Sequence, residues 1–174
     1  MDIQYTEQAK SAVKYAEKTA RRYQHNYIGT EHLLAGLVHE EHGTAGMVLR
    51  DLGVSEEKLM ELIDRFIAPS GDVMTVSVQG YTPRAERLLA ESVQEAENFH
   101  STRVGTEHLL LAMLRMGDCV GTRLLHTMGM NIQKIQKETL TAMGEESSQG
   151  REDGGKKGGR PGTVSTTPTL DQYS

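Results

Sequence analysis

Glu31 and Glu107 stand at the same place in a string that occurs twice, Gly29-Thr30-Glu31-His32-Leu33-Leu34 and Gly105-Thr106-Glu107-His108-Leu109-Leu110. A carboxylate can accept two parallel hydrogen bonds from a guanidinium. Thr6 and Thr82 each follow a tyrosine and open a helical pattern, and a helix start offers free backbone N–H groups and a dipole that favours an anion. A carboxylate set beside such a helix start suits a ligand bearing both a cation and an anion. The structural account of the same string is simpler. Thr30 and Thr106 cap a helix, His32 and His108 pack or hydrogen-bond internally, and each glutamate is an exposed first-turn carboxylate contributing about 0.3–1 kcal/mol through the dipole.

Other candidate chemistry is weaker. His39-Glu40-Glu41-His42 has its histidines three apart, whereas the His-Glu-x-x-His zinc pattern needs four to put both imidazoles on one helix face. A solvated helix end is expected there, and no metal site. Gly150-Arg151-Glu152-Asp153-Gly154-Gly155-Lys156 opens like a phosphate-binding loop, but Lys157 stands where a hydroxyl should hold magnesium. Cys119 has no histidine partner in sequence and reads as a small, semi-buried residue. No nucleophile–base arrangement emerges, so no catalytic residue and no enzyme are expected within this chain. A metal-dependent hydrolase built on the histidines is the least supported reading.

Composition narrows the field. The chain has 174 residues, 37% hydrophobic and 25% charged, a soluble globular balance with room for one medium or two small domains. A formal charge of −5 counts against nucleic-acid binding. With no tryptophan, six tyrosines and two phenylalanines, base-stacking platforms are not expected either. No apolar run reaches the length of a membrane span, and Met1-Asp2-Ile3-Gln4 lacks the features of a signal peptide. The single cysteine excludes a disulfide framework, and the expected location is cytoplasmic, without membrane partners.

The elements that must position these residues are themselves repeated. Tyr5-Thr6 recurs as Tyr81-Thr82, Ala9 as Ala85, Ala20 as Ala96 and Gly53 as Gly129, each 76 residues on, in the same register as the glutamates. Thr6 caps a first helix with Ala9, Ala12, Val13, Ala16 and Ala20 at helical spacing, and Thr82-Pro83 opens its counterpart. A second helix carries Leu33, Leu34 and Leu37 or Leu109, Leu110 and Met113. A third spans 44–52 and 120–128, ended by Gly53 and Gly129, and a fourth is capped by Ser55 and Asn131. The expected fold is all-α, two tandem four-helix repeats related by pseudo-twofold symmetry and followed by a flexible tail. Residues 1–67 form repeat 1, 68–80 an inter-repeat linker and 81–143 repeat 2. Val73–Val78 alternates weakly enough to allow a short strand. The glycine-rich segment 144–174 is expected to be a disordered linker.

Two tandem units of the form Tyr-Thr-x-x-Ala…Gly-Thr-Glu-His-Leu-Leu…Gly resemble the Clp repeat N-terminal domain, and most of all that of ClpC-type Clp ATP-dependent unfoldases. The resemblance covers residues 4–143, and Thr167-Pro168-Thr169-Leu170-Asp171-Gln172-Tyr173 is similar to the lead-in to that family's first ATPase module. It implies a mobile helical receptor tethered to an AAA+ ring, recognising phosphoarginine-marked proteins and docking MecA-type adaptors, with a ClpP-type peptidase reached through the full-length protein. By the same resemblance, Glu31 and Glu107 hold the guanidinium and Thr6 and Thr82 surround the phosphate. ATP and magnesium are expected only in ATPase modules outside this segment. Gln8 departs from the arginine frequent in the family, which Arg84 keeps in the second copy, and the region 115–126 departs from the family's Gly/Glu-rich turn. The alternative reading is a stand-alone Clp-repeat regulator or adaptor without ATPase activity, separated by whether the reading frame continues beyond Ser174 into a phosphate-binding loop.

Overall fold

The computed structural model describes residues 4–67 and 80–151, with side chains to 144. The elements in chain order are β1 (Gln4–Tyr5), α1 (Glu7–Arg22), α2 (Thr30–His39), α3 (Thr44–Asp51), α4 (Glu56–Phe66), α5 (Pro83–Asn98), β2 (Arg103–Val104), α6 (Thr106–Met116), α7 (Val120–Thr127) and α8 (Ile132–Arg151). The chain divides into two compact units, Met1–Leu140 and Thr141–Ser174, and the described part of the second is the end of α8. Residues 68–79 of the linker expected at 68–80, the possible strand at 73–78 and the chain from 152 onward lie outside the described residues. Helix α8 runs through 144–151, where the glycine-rich tether was expected to begin. Glu145, Glu146 and Gln149 are good helix formers, set against about 1 kcal/mol for each of Gly144 and Gly150.

Local signals set most of the helix boundaries. Thr6 Oγ1 accepts the Ala9 N–H and Thr82 Oγ1 the Ala85 N–H, both at 3.1 Å. Ser55 caps α4 through Lys58 at 3.2 Å, and Asn131 opens α8 through Lys134 at 3.1 Å. Gly53 and Gly129 follow α3 and α7 with φ of 100° and 81°, a left-handed conformation that costs glycine no Cβ clash.

Helices α2 and α6 are apolar almost all round and are accordingly the buried centre. Each packs on the first helix of its own repeat, α1 on α2 and α5 on α6, and on the third helix of the other, α2 on α7 and α6 on α3. Leu34, Leu37, Leu109, Leu110, Leu111 and Met113 are fully buried there. Two short parallel pairings also cross between the repeats: β1 with β2, and Ile28 with Tyr81.

Thr30 and Thr106 are not the caps the sequence suggests. Gly29 and Gly105 hold the extended N-cap conformation, and each threonine is the first helical residue. Their hydroxyls reach across the molecule instead. Thr30 Oγ1 accepts the Gly121 N–H at 3.0 Å in the first turn of α7, and Thr106 Oγ1 accepts the Ala45 N–H at 3.1 Å in the first turn of α3. Gly121 and Ala45 are equivalent positions in the two repeats, so each repeat caps the other's third helix. All four residues are buried, so an unmade bond would leave an amide without water. Thr30→Val or Thr106→Val is expected to lower stability by about 1–3 kcal/mol in urea denaturation, with Thr→Ser at the same site costing less. Valine variants as stable as the serine variants would contradict the trans-capping account.

Candidate functional site

The two glutamates adopt one conformation. Each is the second helical residue after a glycine N-cap, and its carboxylate folds back over that glycine. A methyl on Gly29 would lie 2.4 Å from Glu31 Oε1, and one on Gly105 would lie 2.5 Å from Glu107 Oε1. The bare glycine thus makes the space the carboxylate occupies, which explains the Gly-x-Glu spacing in both copies. Each carboxylate also accepts its own backbone N–H.

The expectation of an exposed first-turn carboxylate fails for Glu31, which is only 3% exposed. Glu107 is half-buried. Long-range packing at the start of α2, including the Tyr27 side chain, decides this, since the equivalent start of α6 leaves Glu107 half-buried. Burial pushes the Glu31 carboxyl above the usual carboxylate range, opposed by its own amide and by a hydrogen bond from the Tyr27 hydroxyl. Burial likewise raises Glu107. Tyr27 is pushed up to about 12 by its own burial and by the neighbouring Glu31 charge. Among the described residues, no ion pair involves either glutamate. A buried carboxylate that lacks a cation keeps an unmet demand for one.

The helix starts come from the opposite repeat. The Thr82 N–H donates to Ile28 O at 3.0 Å and the Thr6 N–H to Val104 O at 2.9 Å. Backbone pairing therefore sets Thr82 beside the segment leading to Glu31, and Thr6 beside the segment leading to Glu107. Glu31 and Thr82 share a cavity of about 390 Å³, completed by Tyr27, Pro83, Arg84 and Val120. Of the four residues singled out in the sequence, Glu31 and Thr82 meet at one cavity, whereas Thr6 is tied to the segment leading to Glu107 through its bond to Val104. Both threonine hydroxyls accept from their own helices. Tyr27 carries no sequence signal beyond proximity to these motifs, and Arg84, noted in the sequence only through the family resemblance, reaches the cavity because the pairing that gathers them is long-range.

The histidines hold the scaffold. His32 Nδ1 accepts the Gly29 N–H and His108 Nδ1 the Gly105 N–H, both at 2.9 Å. With Nδ1 an acceptor, His32 donates from Nε2 to His25 Nδ1 at 2.7 Å, and His25 Nε2 donates to Ile67 O at 3.2 Å. Burial, reinforced by His25, lowers the His32 pKa to about 3. His39 ends α2, stacks on Tyr15 with centroids 3.7 Å apart and meets Glu56 at 2.9 Å, while His42 lies beyond the helix. Cys119 is fully buried rather than semi-buried, with Sγ 3.2 Å from Thr122 Oγ1. Among the described residues, no cluster of three or more His, Cys, Asp or Glu could hold a metal ion. No described helix is long and apolar enough to cross a membrane.

Two helical repeats interlock so that each sets its first helix start beside the segment leading to the other's glutamate. The chain belongs to the Clp repeat N-terminal domain family, whose model matches residues 4–128 and 80–172. It is 38% identical over 173 residues to the chaperone protein ClpB of Oceanobacillus iheyensis, and 34% identical over 170 residues to the negative regulator of genetic competence ClpC/MecB of Bacillus subtilis. Each alignment takes in 98% of this chain and 20% of the relative, so the chain spans about one fifth of their length. The N-terminal domain of the ClpD chaperone of Arabidopsis thaliana shares the fold with a TM-score of 0.67 at 20% identity, over 80% of this chain and 97% of that one. A ClpV N-domain in complex with a VipB peptide does so at 0.60 and 20% identity, over 77% and 83%.

The raised glutamate and the lowered histidine have opposite pH signatures. The folded chain holds the Glu31 proton more tightly than the unfolded chain. Its contribution to stability is therefore full below the ordinary glutamate range and lost as pH rises through the raised value. Glu31→Gln removes that loss, so the variant is expected to equal or exceed the parent in urea denaturation at pH 7, with the difference shrinking towards pH 4. For His32 the unfolded chain binds the proton first, so stability falls as pH drops below about 6.5 and goes on falling to about 3. His32→Asn is expected to flatten that acid limb. A Glu31→Gln variant destabilised equally at every pH would contradict the buried-carboxylate account, and an acid limb unchanged in His32→Asn would contradict the histidine account.

Proposed function

We propose that this chain is the substrate- and adaptor-receiving domain of a Clp protein unfoldase, and that its two crossed sockets bind phosphorylated arginine side chains. The observation that carries this reading is the cavity joining Glu31, a buried carboxylate with no cationic partner, to the start of α5 at Thr82. An arginine guanidinium answers the carboxylate with two parallel hydrogen bonds. A phosphate on that same guanidinium answers the N–H groups and dipole at the helix start. Neither half of the socket alone selects so compact a doubly charged group.

The relatives support the setting. The ClpV N-domain was solved with a peptide bound, and one relative is a ClpC/MecB protein. In this reading the chain delivers marked or adaptor-bound proteins to an ATPase that uses ATP and magnesium outside this segment. MecA-type adaptors and a ClpP-type peptidase are the partners of the full-length protein, acting in the cytoplasm during protein quality control. Two sockets per chain, multiplied in an assembled ring, raise the effective concentration for a multiply marked substrate, so weak single sites suffice.

Calorimetry with phosphoarginine against plain arginine tests the reading. The unaltered chain is expected to bind two equivalents of phosphoarginine, Glu31→Ala and Glu107→Ala one each, and the double variant none. Undiminished binding in a folded double variant would overturn it.

A further inference from the structure

Both glutamates fold back over their glycines in the same way, yet Glu31 is 3% exposed and Glu107 is half-buried. One side chain that differs stands four residues earlier, Tyr27 in repeat 1 and Arg103 in repeat 2. Tyr27 is half-buried, lines the cavity and donates its hydroxyl to the Glu31 carboxylate. Arg103 is exposed, and the hydrogen bond that bears on the Glu107 carboxyl comes from its own amide.

The Tyr27 ring has a firm seat. It stacks on His25 with centroids 5.5 Å and planes 19° apart, and it tilts against His32 at 5.5 Å. Both histidines are fully buried and bond each other at 2.7 Å. His32 is also tied to the Gly29 N–H and His25 to Ile67 O. The ring is thus placed independently of the bond its hydroxyl makes.

A guanidinium can reach a carboxylate that is 3% exposed only if part of the cover moves. Most of the wall around Glu31 is tied into the fold. Thr30 is bonded to Gly121, the Thr82 N–H to Ile28 O, and Arg84 to Asp118. Tyr27 is the wall residue whose hydroxyl is tied to the carboxylate itself. A side chain turns between rotamers without moving the backbone, and a half-buried hydroxyl that lets go can bond to water.

We propose that Tyr27 is a latch on the Glu31 socket: its hydroxyl holds the empty carboxylate, and an arriving guanidinium displaces it. The proposal rests on the reading of this socket as a receptor for a guanidinium group. In the empty state the latch gives a buried carboxylate a donor it would otherwise lack. On binding, every guanidinium ligand loses that same bond, with or without a phosphate. The latch therefore lowers affinity for all of them alike and leaves the preference for phosphoarginine over arginine to the helix start at Thr82.

Calorimetry on Glu107→Ala, which leaves the Glu31 socket alone, tests the latch, with circular dichroism confirming that each variant folds. Adding Tyr27→Phe keeps the ring on its histidine seat and removes the hydroxyl. The double variant is expected to bind phosphoarginine and plain arginine each about tenfold more tightly, the scale of one hydrogen bond to a charged group, with their ratio unchanged. In Glu107→Ala carrying ring-13C tyrosine, the signal absent from the Tyr27→Phe spectrum should shift as ligand is added. Methylguanidinium, a cation without phosphate, reads the latch separately and should be tightened by the same factor. Unchanged or weaker binding in Tyr27→Phe, or a Tyr27 signal unmoved at saturation, would overturn the latch and leave the phosphoarginine reading standing. No phosphoarginine binding, with methylguanidinium still tightened by Tyr27→Phe, would overturn that reading and leave the latch. No binding of any of the three would overturn both.

Discussion

Two hydrogen bonds hold this architecture in register: Thr30 Oγ1 with the Gly121 N–H, and Thr106 Oγ1 with the Ala45 N–H. Each is buried, each crosses between repeats, and each satisfies a first-turn amide that its own repeat leaves unmet. Because the threonine precedes the glutamate directly, the bond that locks the repeats together also fixes the start of the helix that carries the carboxylate. Interlocking and socket formation are thus one constraint. The short backbone pairings of Thr82 with Ile28 and Thr6 with Val104 complete it, drawing each first helix towards the other repeat's glutamate.

The cost of the arrangement falls on the carboxylates. A buried Glu31 without a cation is unfavourable by itself. The amide at its own helix start and the Tyr27 hydroxyl offset part of that, and the raised pKa of the group reflects what is left. The carboxylate meets its own helix-start amide, but the two longer-range bonds at this helix start belong to its neighbours. The capping-box partner of the Gly29 amide is His32, and trans-capping belongs to Thr30. A side chain that burdens the fold and that neither cap uses is the one to which a ligand can return the largest gain. Elsewhere the repeats have diverged into different internal contacts. Repeat 1 ties α1, α2, α3 and α4 through Tyr15, His39, Arg50 and Glu56, whereas repeat 2 pairs Arg115 with the buried Glu95 at 2.6 Å.

Much of the fold was legible because its determinants are local. Thr6, Thr82, Ser55, Asn131, Gly53 and Gly129 do at their helix ends what their residue types suggest, and the 76-residue offset revealed the duplication. What escaped was long-range. Thr30 and Thr106 have the chemistry of N-caps, but the glycines before them take that position and their hydroxyls act on residues 91 and 61 positions away. The burial of Glu31 was hidden for the same reason, since a first-turn glutamate is ordinarily exposed and it is long-range packing at the start of α2, with Tyr27 beside the carboxylate, that covers it. The identities of the paired residues were readable, but their crossing was not, because two-residue strands and a single bridge leave no periodic pattern.

The central claim is that a glutamate of one repeat and the helix start of the other act as one receptor. Amide chemical shifts recorded during titration with phosphoarginine test it most directly. The account predicts that Glu31 and Thr82 respond together with Arg84, and that Glu107 responds with Thr6 and Gln8. Shifts confined to another surface, or a glutamate responding without the opposite repeat's threonine, would contradict it.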